Sequence, residues 1–355
     1  MSTTDHRELE SAIPEHLRKP GLCPFRSSAE PPPYPTYVAR FSKDINQVVM
    51  CYLGIQLRPE GNRKALKAAA ISVEELVSLA SGPLYVDQAK GVDGDEYETH
   101  IFALFWDSVM AYQHWCASDL VQGWWESNQR EEDGVGYFKE VFMPKIDFFE
   151  THYATPEFQS LGNLADAMSG EIKEHAYWGA MRHRIPAAQY DSLASVGLPS
   201  VVSKHDNAKR KLVVPHDYMC LIRSGQNWEN ADQTEIALYQ KVILPSLVQG
   251  MGYLSEQGLE IGCYSNRFVT LLCEDGYIAR QSYGLSYWSG LDALEKWASS
   301  HQTHLKIFAA AQEYMSKLGS EARLTTYHEV AVMAADEQYF EYINCHPSTG
   351  LLQLA

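Results

Sequence analysis

Phe105-Trp106-Asp107-Ser108-Val109-Met110-Ala111-Tyr112-Gln113-His114-Trp115 lines up without a gap on Tyr287-Trp288-Ser289-Gly290-Leu291-Asp292-Ala293-Leu294-Glu295-Lys296-Trp297. In each copy an aromatic pair ends an apolar run, and a tryptophan follows on a helical pattern. The likeness continues, since Trp115-Cys116-Ala117-Ser118 answers Trp297-Ala298-Ser299-Ser300 and Phe138-Lys139-Glu140-Val141 answers Tyr327-His328-Glu329-Val330. Outward from these anchors, hydrophobic periodicity predicts strands over 47–54, 98–106 and 137–142 in the first half, with helices over 64–81 and 110–127. The second half has the same succession: a strand over 217–222, a helix over 231–257 that Pro245 should kink, and a strand pair over 267–273 and 277–287. A helix over 291–318 and a closing strand over 324–333 follow.

Two such halves read as an internal duplication of a β-α-β-β-α-β unit, the ferredoxin-like arrangement, so the expected fold class is α+β. The expected organisation is an irregular N-terminal segment (1–36), a first unit (37–165), a connecting segment (166–210), a second unit (211–335) and a C-terminal segment (336–355). The Pro31-Pro32-Pro33 run marks the first segment as one that wraps the surface.

At 355 residues, 45% of them apolar, the chain is long enough for two ordinary cores. Its 45 acidic against 29 basic residues give a net charge of −16, which argues against nucleic acid or an anionic membrane as partner and for a small neutral substrate. No apolar run is long enough to span a bilayer, and Met1 to Pro20 has no signal-like apolar core, so a cytoplasmic location is expected. The seven cysteines, at 23, 51, 116, 220, 263, 273 and 345, have no paired spacing, which fits reduced thiols. C-x-x-C-H is absent, so any haem would be held by coordination and packing, as in b-type proteins.

Overlaying the halves isolates the candidate chemistry. Gln122 stands where the second half has His304, and Lys139 where it has His328. A scaffold that builds the same unit without either imidazole does not need them for folding. Leu294, Trp297, His301, His304, Phe308, Ala311 and Met315 recur at helical spacing, which predicts one apolar stripe carrying both histidines. A neutral imidazole on a rigid helix beside an apolar wall is what haem iron asks of a protein, and His304 with Leu305, Ile307 and Phe308 offers it. Zinc held by His301 and His304 with Glu174 or Glu329 is a weaker alternative, because no Glu completes an H-E-x-x-H pattern. His328 is expected to share its strand face with Val330 and Val332, with Glu329 opposite, so that its pKa is easily tuned. Glu174 to Arg184, with two arginines and two histidines, is unusually polar for scaffolding, and Ser224 closes a predicted strand.

The chain resembles the aldoxime dehydratases, haem-b enzymes that convert aldoximes to nitriles. The resemblance runs from about Tyr37 to Gly350 and is carried by several stretches. Among them are Gln47-Val48-Val49-Met50 with Tyr52-Leu53-Gly54, Gly136-Tyr137-Phe138, Ser169-Gly170-Glu171-Ile172 and Leu221-Ile222-Arg223-Ser224-Gly225-Gln226. Gly262-Cys263-Tyr264-Ser265-Asn266-Arg267-Phe268, Thr303-His304-Leu305, Tyr327-His328-Glu329-Val330 and Phe340-Glu341-Tyr342-Ile343-Asn344-Cys345-His346-Pro347 extend it.

The resemblance implies tandem ferredoxin-like units forming a β-barrel flanked by helices, usually as a homodimer. It implies His304 as the proximal haem ligand, His328 as the distal acid-base histidine and Ser224 as the group that binds the oxime hydroxyl. Arg184 and Glu150 are implied as the distal polar network. Ferrous iron binding the oxime through nitrogen, with His328 acting first as acid and then as base, is the implied mechanism. A non-catalytic haem sensor, a peroxidase or chlorite-dismutase-like haem enzyme, and a zinc hydrolase are the rival readings.

Overall fold

The computed structural model of the chain describes residues 9–20, 34–174, 181–204 and 207–354. A two-residue strand β1 (Ala39–Arg40) leads into the first half: β2 (Val49–Leu57), α1 (Arg63–Val77), β3 (Tyr85–Val92), β4 (Glu98–Trp106), α2 (Val109–Cys116), α3 (Asp119–Glu126) and β5 (Gly136–Phe142). β6 (Phe149–Tyr153) closes the first half, and between the halves lie β7 (Ala167–Met168), α4 (Met181–Arg184), β8 (Ser200–Lys204) and β9 (Asn207–Val214). The second half is β10 (Met219–Asn227), α5 (Gln233–Val242), α6 (Leu244–Gln257), β11 (Cys263–Leu272), β12 (Ile278–Trp288), α7 (Leu291–Ser300), α8 (Gln302–Leu318) and β13 (Thr325–Met333), followed by β14 (Gln338–Ile343).

All strands but β1 and β7 join one sheet of 12 strands, in the order β6-β13-β10-β12-β11-β3-β4-β2-β5-β14-β9-β8. The strand order inside each half is the same, β3-β4-β2-β5 and β11-β12-β10-β13, and the halves meet where Thr270 and Leu271 pair with Lys90 and Ala89. Strand alternation divides the apolar residues between two faces. Tyr52, Phe105 and Phe142 of one half and Leu221, Leu285 and Tyr287 of the other share a single inner core. The outer faces are covered by helices, with Leu53, Trp106 and Trp115 packed in the first half and Ile222, Trp288, Trp297 and Val330 in the second.

Among the described residues the ladder is an open run with β6 and β8 at its ends, so the expected closed barrel is not found. Three of the four predicted helices are each two helices, for a local reason each time. Ser118 caps α3 by accepting from the amide of Val121, and Pro245, which has no N–H to donate, falls in the first turn of α6. His301 has extended backbone and caps α8, its Nδ1 3.4 Å from the Thr303 amide. It is therefore a joint between α7 and α8 and does not share His304's stripe. Strand β3 was not predicted, because Tyr85–Val92 is only partly buried and lacks a clean alternation.

The sheet's edges decide where the site forms. β6 lies in the first half of the sequence but pairs with β13 of the second, with Glu150 opposite Val330 and His152 opposite His328.

Candidate active site

On the helix-covered face of the second half, Ser224 stands between Gly284 and His328, and His328 stands next to His152. The row therefore runs Gly284, Ser224, His328, His152 across four strands. The neighbouring row holds Ser286, Ile222, Val330 and Glu150. Alternation puts both rows on the face that carries Ile222, Val330 and Val332, as the sequence predicts.

Arg184 reaches this face from α4, whose Met181 and the following Ile185 anchor it in the same apolar cluster. Its Nε donates to Glu150 Oε2 at 2.7 Å, its Nη2 lies 3.2 Å from Glu150 Oε1, and its Nη1 donates to the carbonyl of Glu174 at 2.9 Å. His328 Nε2 sits 2.8 Å from Glu150 Oε1 and 3.0 Å from Arg184 Nη2. All three residues are at most 4% exposed.

A guanidinium only donates and a carboxylate only accepts. When Nε2 carries a proton it donates to Glu150, and when it does not it accepts from Arg184. The same nitrogen thus has a partner in either protonation state, the geometry suited to a proton that leaves and returns.

Electrostatics agree. Burial would raise the Glu150 carboxyl, but Arg184 and His328 outweigh it and hold the group below the usual carboxylate range. Burial holds His328 below the ordinary histidine value; Glu150 pulls it back up, and Arg184 opposes that. His328 is therefore an acid stronger than a free imidazolium, with a carboxylate at hand to stabilise its charged form.

Four of the five residues expected at the site (Glu150, Arg184, Ser224 and His328) come together here. Ser224 is half-buried, and among the described residues its hydroxyl has no hydrogen-bond partner. The fifth, His304, lies in the first turn of α8, on the same side of the sheet, packed edge-on against Trp297 at 4.6 Å between ring centroids. It is 5% exposed, and burial lowers its pKa to about 4, so the imidazole is neutral at physiological pH. The backbone of Ala298 works against that lowering without overcoming it.

Two features escaped sequence reasoning. His152 stacks on His328, with centroids 4.8 Å apart and planes 10° from parallel; the alternation Glu150-Thr151-His152 could have signalled it, since residues two apart share a strand face. Behind the site, on the inner face, fully buried Arg223 pairs with Asp87 at 2.7 Å, meets the Tyr327 hydroxyl at 3.2 Å and lies 4.0 Å from the Tyr283 ring. Glu329 also points inward, where it accepts from the Leu161 amide and the Ser160 hydroxyl, and burial raises its pKa to about 7.

The zinc alternative loses its ligands to other tasks. His301 is a helix cap, Glu329 lies on the opposite face, and Glu174 accepts from Ser11 and from the Ala12 amide. Of the polar run from Glu174 to Arg184, residues 175–180, including His175, lie outside the described residues.

The sequence profile described as "Haem-containing dehydratase" matches residues 51–351. An aliphatic aldoxime dehydratase of Rhodococcus globerulus is 41% identical over 348 residues, which is 97% of this chain and 98% of the relative. A phenylacetaldoxime dehydratase of Bacillus sp. (strain OxB-1) is 32% identical, covering 89% of this chain and 90% of its own. Among solved structures, an aldoxime dehydratase crystallised with butyraldoxime superposes with a TM-score of 0.92 at 41% identity, covering 97% of this chain and 96% of that one.

Proposed function

The chain belongs to the haem-containing dehydratase family, and from that premise we propose that it removes water from aldoximes to give nitriles, with the acid-base work done by His328. The observation that carries the reading is His328 Nε2 held between Glu150 and Arg184, beside Ser224.

The residues fit a haem. His304 offers a neutral imidazole on a rigid helix. Gly284 leaves the facing row without a side chain, and a Cβ there would meet Met251 Sδ at 2.8 Å. His304 would hold the haem iron, on the same side of the sheet as the row of Gly284, Ser224 and His328. When bound, haem supplies an iron that can take the oxime nitrogen and feed electron density into its N–O bond.

The chain's own residues do the rest. Ser224 orients the oxime oxygen by hydrogen bonding. Imidazolium His328 delivers its Nε2 proton to that oxygen, so that hydroxide departs as water, and Glu150 stabilises the charge until delivery. Neutral His328, its lone pair steadied by Arg184, then takes the proton from the aldoxime carbon as the C≡N bond completes. Substrate R-CH=N-OH becomes R-C≡N and H2O, and His328 returns to its starting charge. Burial of the three groups keeps bulk water from competing for that proton.

Greater identity to the aliphatic enzyme than to the phenylacetaldoxime enzyme supports short aliphatic substrates. The proposal extends to a cytoplasmic homodimer and to two tandem ferredoxin-like units; light scattering of the purified protein tests the first. The deciding experiment adds butyraldoxime to the reduced, haem-loaded protein and follows butyronitrile by gas chromatography. Nitrile should form, and a fully loaded, reduced protein that makes none overturns the reading.

A further inference from the structure

The first half carries its own counterpart of the row that holds Ser224 and His328. Leu53 on β2 lies between Phe102 on β4 and Lys139 on β5, just as Ser224 lies between Gly284 and His328. Over this row, under α2 and α3, is a cavity of about 190 Å³ lined by Leu53, Trp115, Val121, Trp124, Trp125 and Lys139, among others. Its place under the helices matches that of the proposed haem site, and Gln122, the counterpart of His304, lies at its exposed rim.

The lining is mostly aromatic and apolar; its polar members are Gln122 and Glu126, both exposed, and one cation, Lys139. The Lys139 ammonium lies 4.4 Å from the centre of the Trp125 ring and 5.2 Å from that of Tyr339. Among the described residues it has no ion pair. Glu341, opposite it in the next strand, is already engaged by Lys204, Arg210, Trp125 and Tyr339, and Glu126 is paired with Lys204. An apolar cavity of roughly 150 Å³ is enough to take up benzene. The volume here therefore suits one six-membered ring with a short polar head, and the ammonium suits a carboxylate on that head.

We propose that this cavity is a second ligand site, in the other half of the sheet from the proposed haem site, for a single-ring aromatic monocarboxylate. The ring packs among the three tryptophans and the carboxylate meets Lys139. The proposal needs no turnover and stands or falls independently of the proposed dehydration.

The test is calorimetry of the haem-loaded full chain with phenylacetate, with the Soret band recorded alongside. One phenylacetate per chain is expected, with the Soret band unmoved. Lys139→Met, which keeps the length and removes the charge, should weaken binding at least tenfold. Val121→Trp, which fills the cavity, should abolish it, and both variants should keep wild-type haem content and nitrile formation. No saturable binding at millimolar phenylacetate, binding that shifts the Soret band, or affinity unchanged in both variants overturns the proposal.

Discussion

His152 and His328 face each other ring to ring from adjacent strands, 4.8 Å between centroids. The stack faces an imidazole whose Nε2 lies within reach of both Glu150 and Arg184, and in the proposed mechanism it fixes the plane of that ring. An aromatic pair is worth about 0.5–1.5 kcal/mol beyond area burial, so His152→Ala should lower kcat/KM roughly two- to tenfold with haem content intact. His152→Phe, which restores a ring, should recover most of the loss. Equal rates in both variants would show that the stack has no part in positioning His328.

Removing His328 should leave haem binding untouched and lower turnover about 10²- to 10⁴-fold, the range for one acid-base group. Single-turnover measurement of nitrile formation by haem-loaded His328→Ala checks this. Near-normal rates would assign the proton transfers to another group.

The pH profile should carry the signature of the Glu150–His328 pair. In the proposed mechanism water leaves only when His328 is protonated, and burial lowers its pKa, so kcat/KM should fall as pH rises through a value below the ordinary histidine pKa of about 6.5. Glu150 is what pulls that pKa upward. Glu150→Gln should therefore move the limb toward still lower pH and reduce activity at neutrality. A limb that stays in place or moves toward alkaline pH contradicts the assignment.

Haem uptake by the apoprotein tests His304. A proton on its imidazole blocks coordination, and burial sets the pKa at about 4. Uptake of haemin, followed by the Soret band, should hold from pH 7 to pH 5 and fail only on approach to 4, while His304→Ala should retain no tightly bound haem. A midpoint near the ordinary histidine value would mean that this imidazole is not buried before haem arrives.

On the inner face, Asp87→Ala strands the buried guanidinium of Arg223 without its carboxylate. Breaking a buried pair on one side costs about 3–5 kcal/mol, whereas replacing both partners by apolar groups can be nearly neutral. Urea denaturation should show a large loss for Asp87→Ala and a much smaller one for Asp87→Leu combined with Arg223→Met.

What could be read from the sequence followed from periodicity. Glu98–Trp106 and Thr325–Met333 are apolar runs bounded by polar ones, and both strands form where predicted. His328 faces the apolar side because Val330 and Val332 do. The breaks at Ser118 and His301 were not legible, since a side-chain cap interrupts a helix without disturbing its hydrophobic spacing, whereas Pro245 marked the one at Ile243. Nor was the company that Glu150 keeps: edge pairing between β6 and β13 is a long-range choice, and β6 is a strand of five residues with no periodicity of its own. Resemblance, not pattern, singled out Glu150 and Arg184 beforehand.

That borrowed edge strand has a further consequence. Glu150 and His328 are 178 residues apart along the chain, and each comes from a different half. A cut at any loop between them would leave the acid-base couple on separate fragments. On the proposed assignment a ribosome therefore releases nothing competent for dehydration until nearly the whole polypeptide has emerged, and a gene for the latter half alone would encode His304 and His328 without the carboxylate of Glu150.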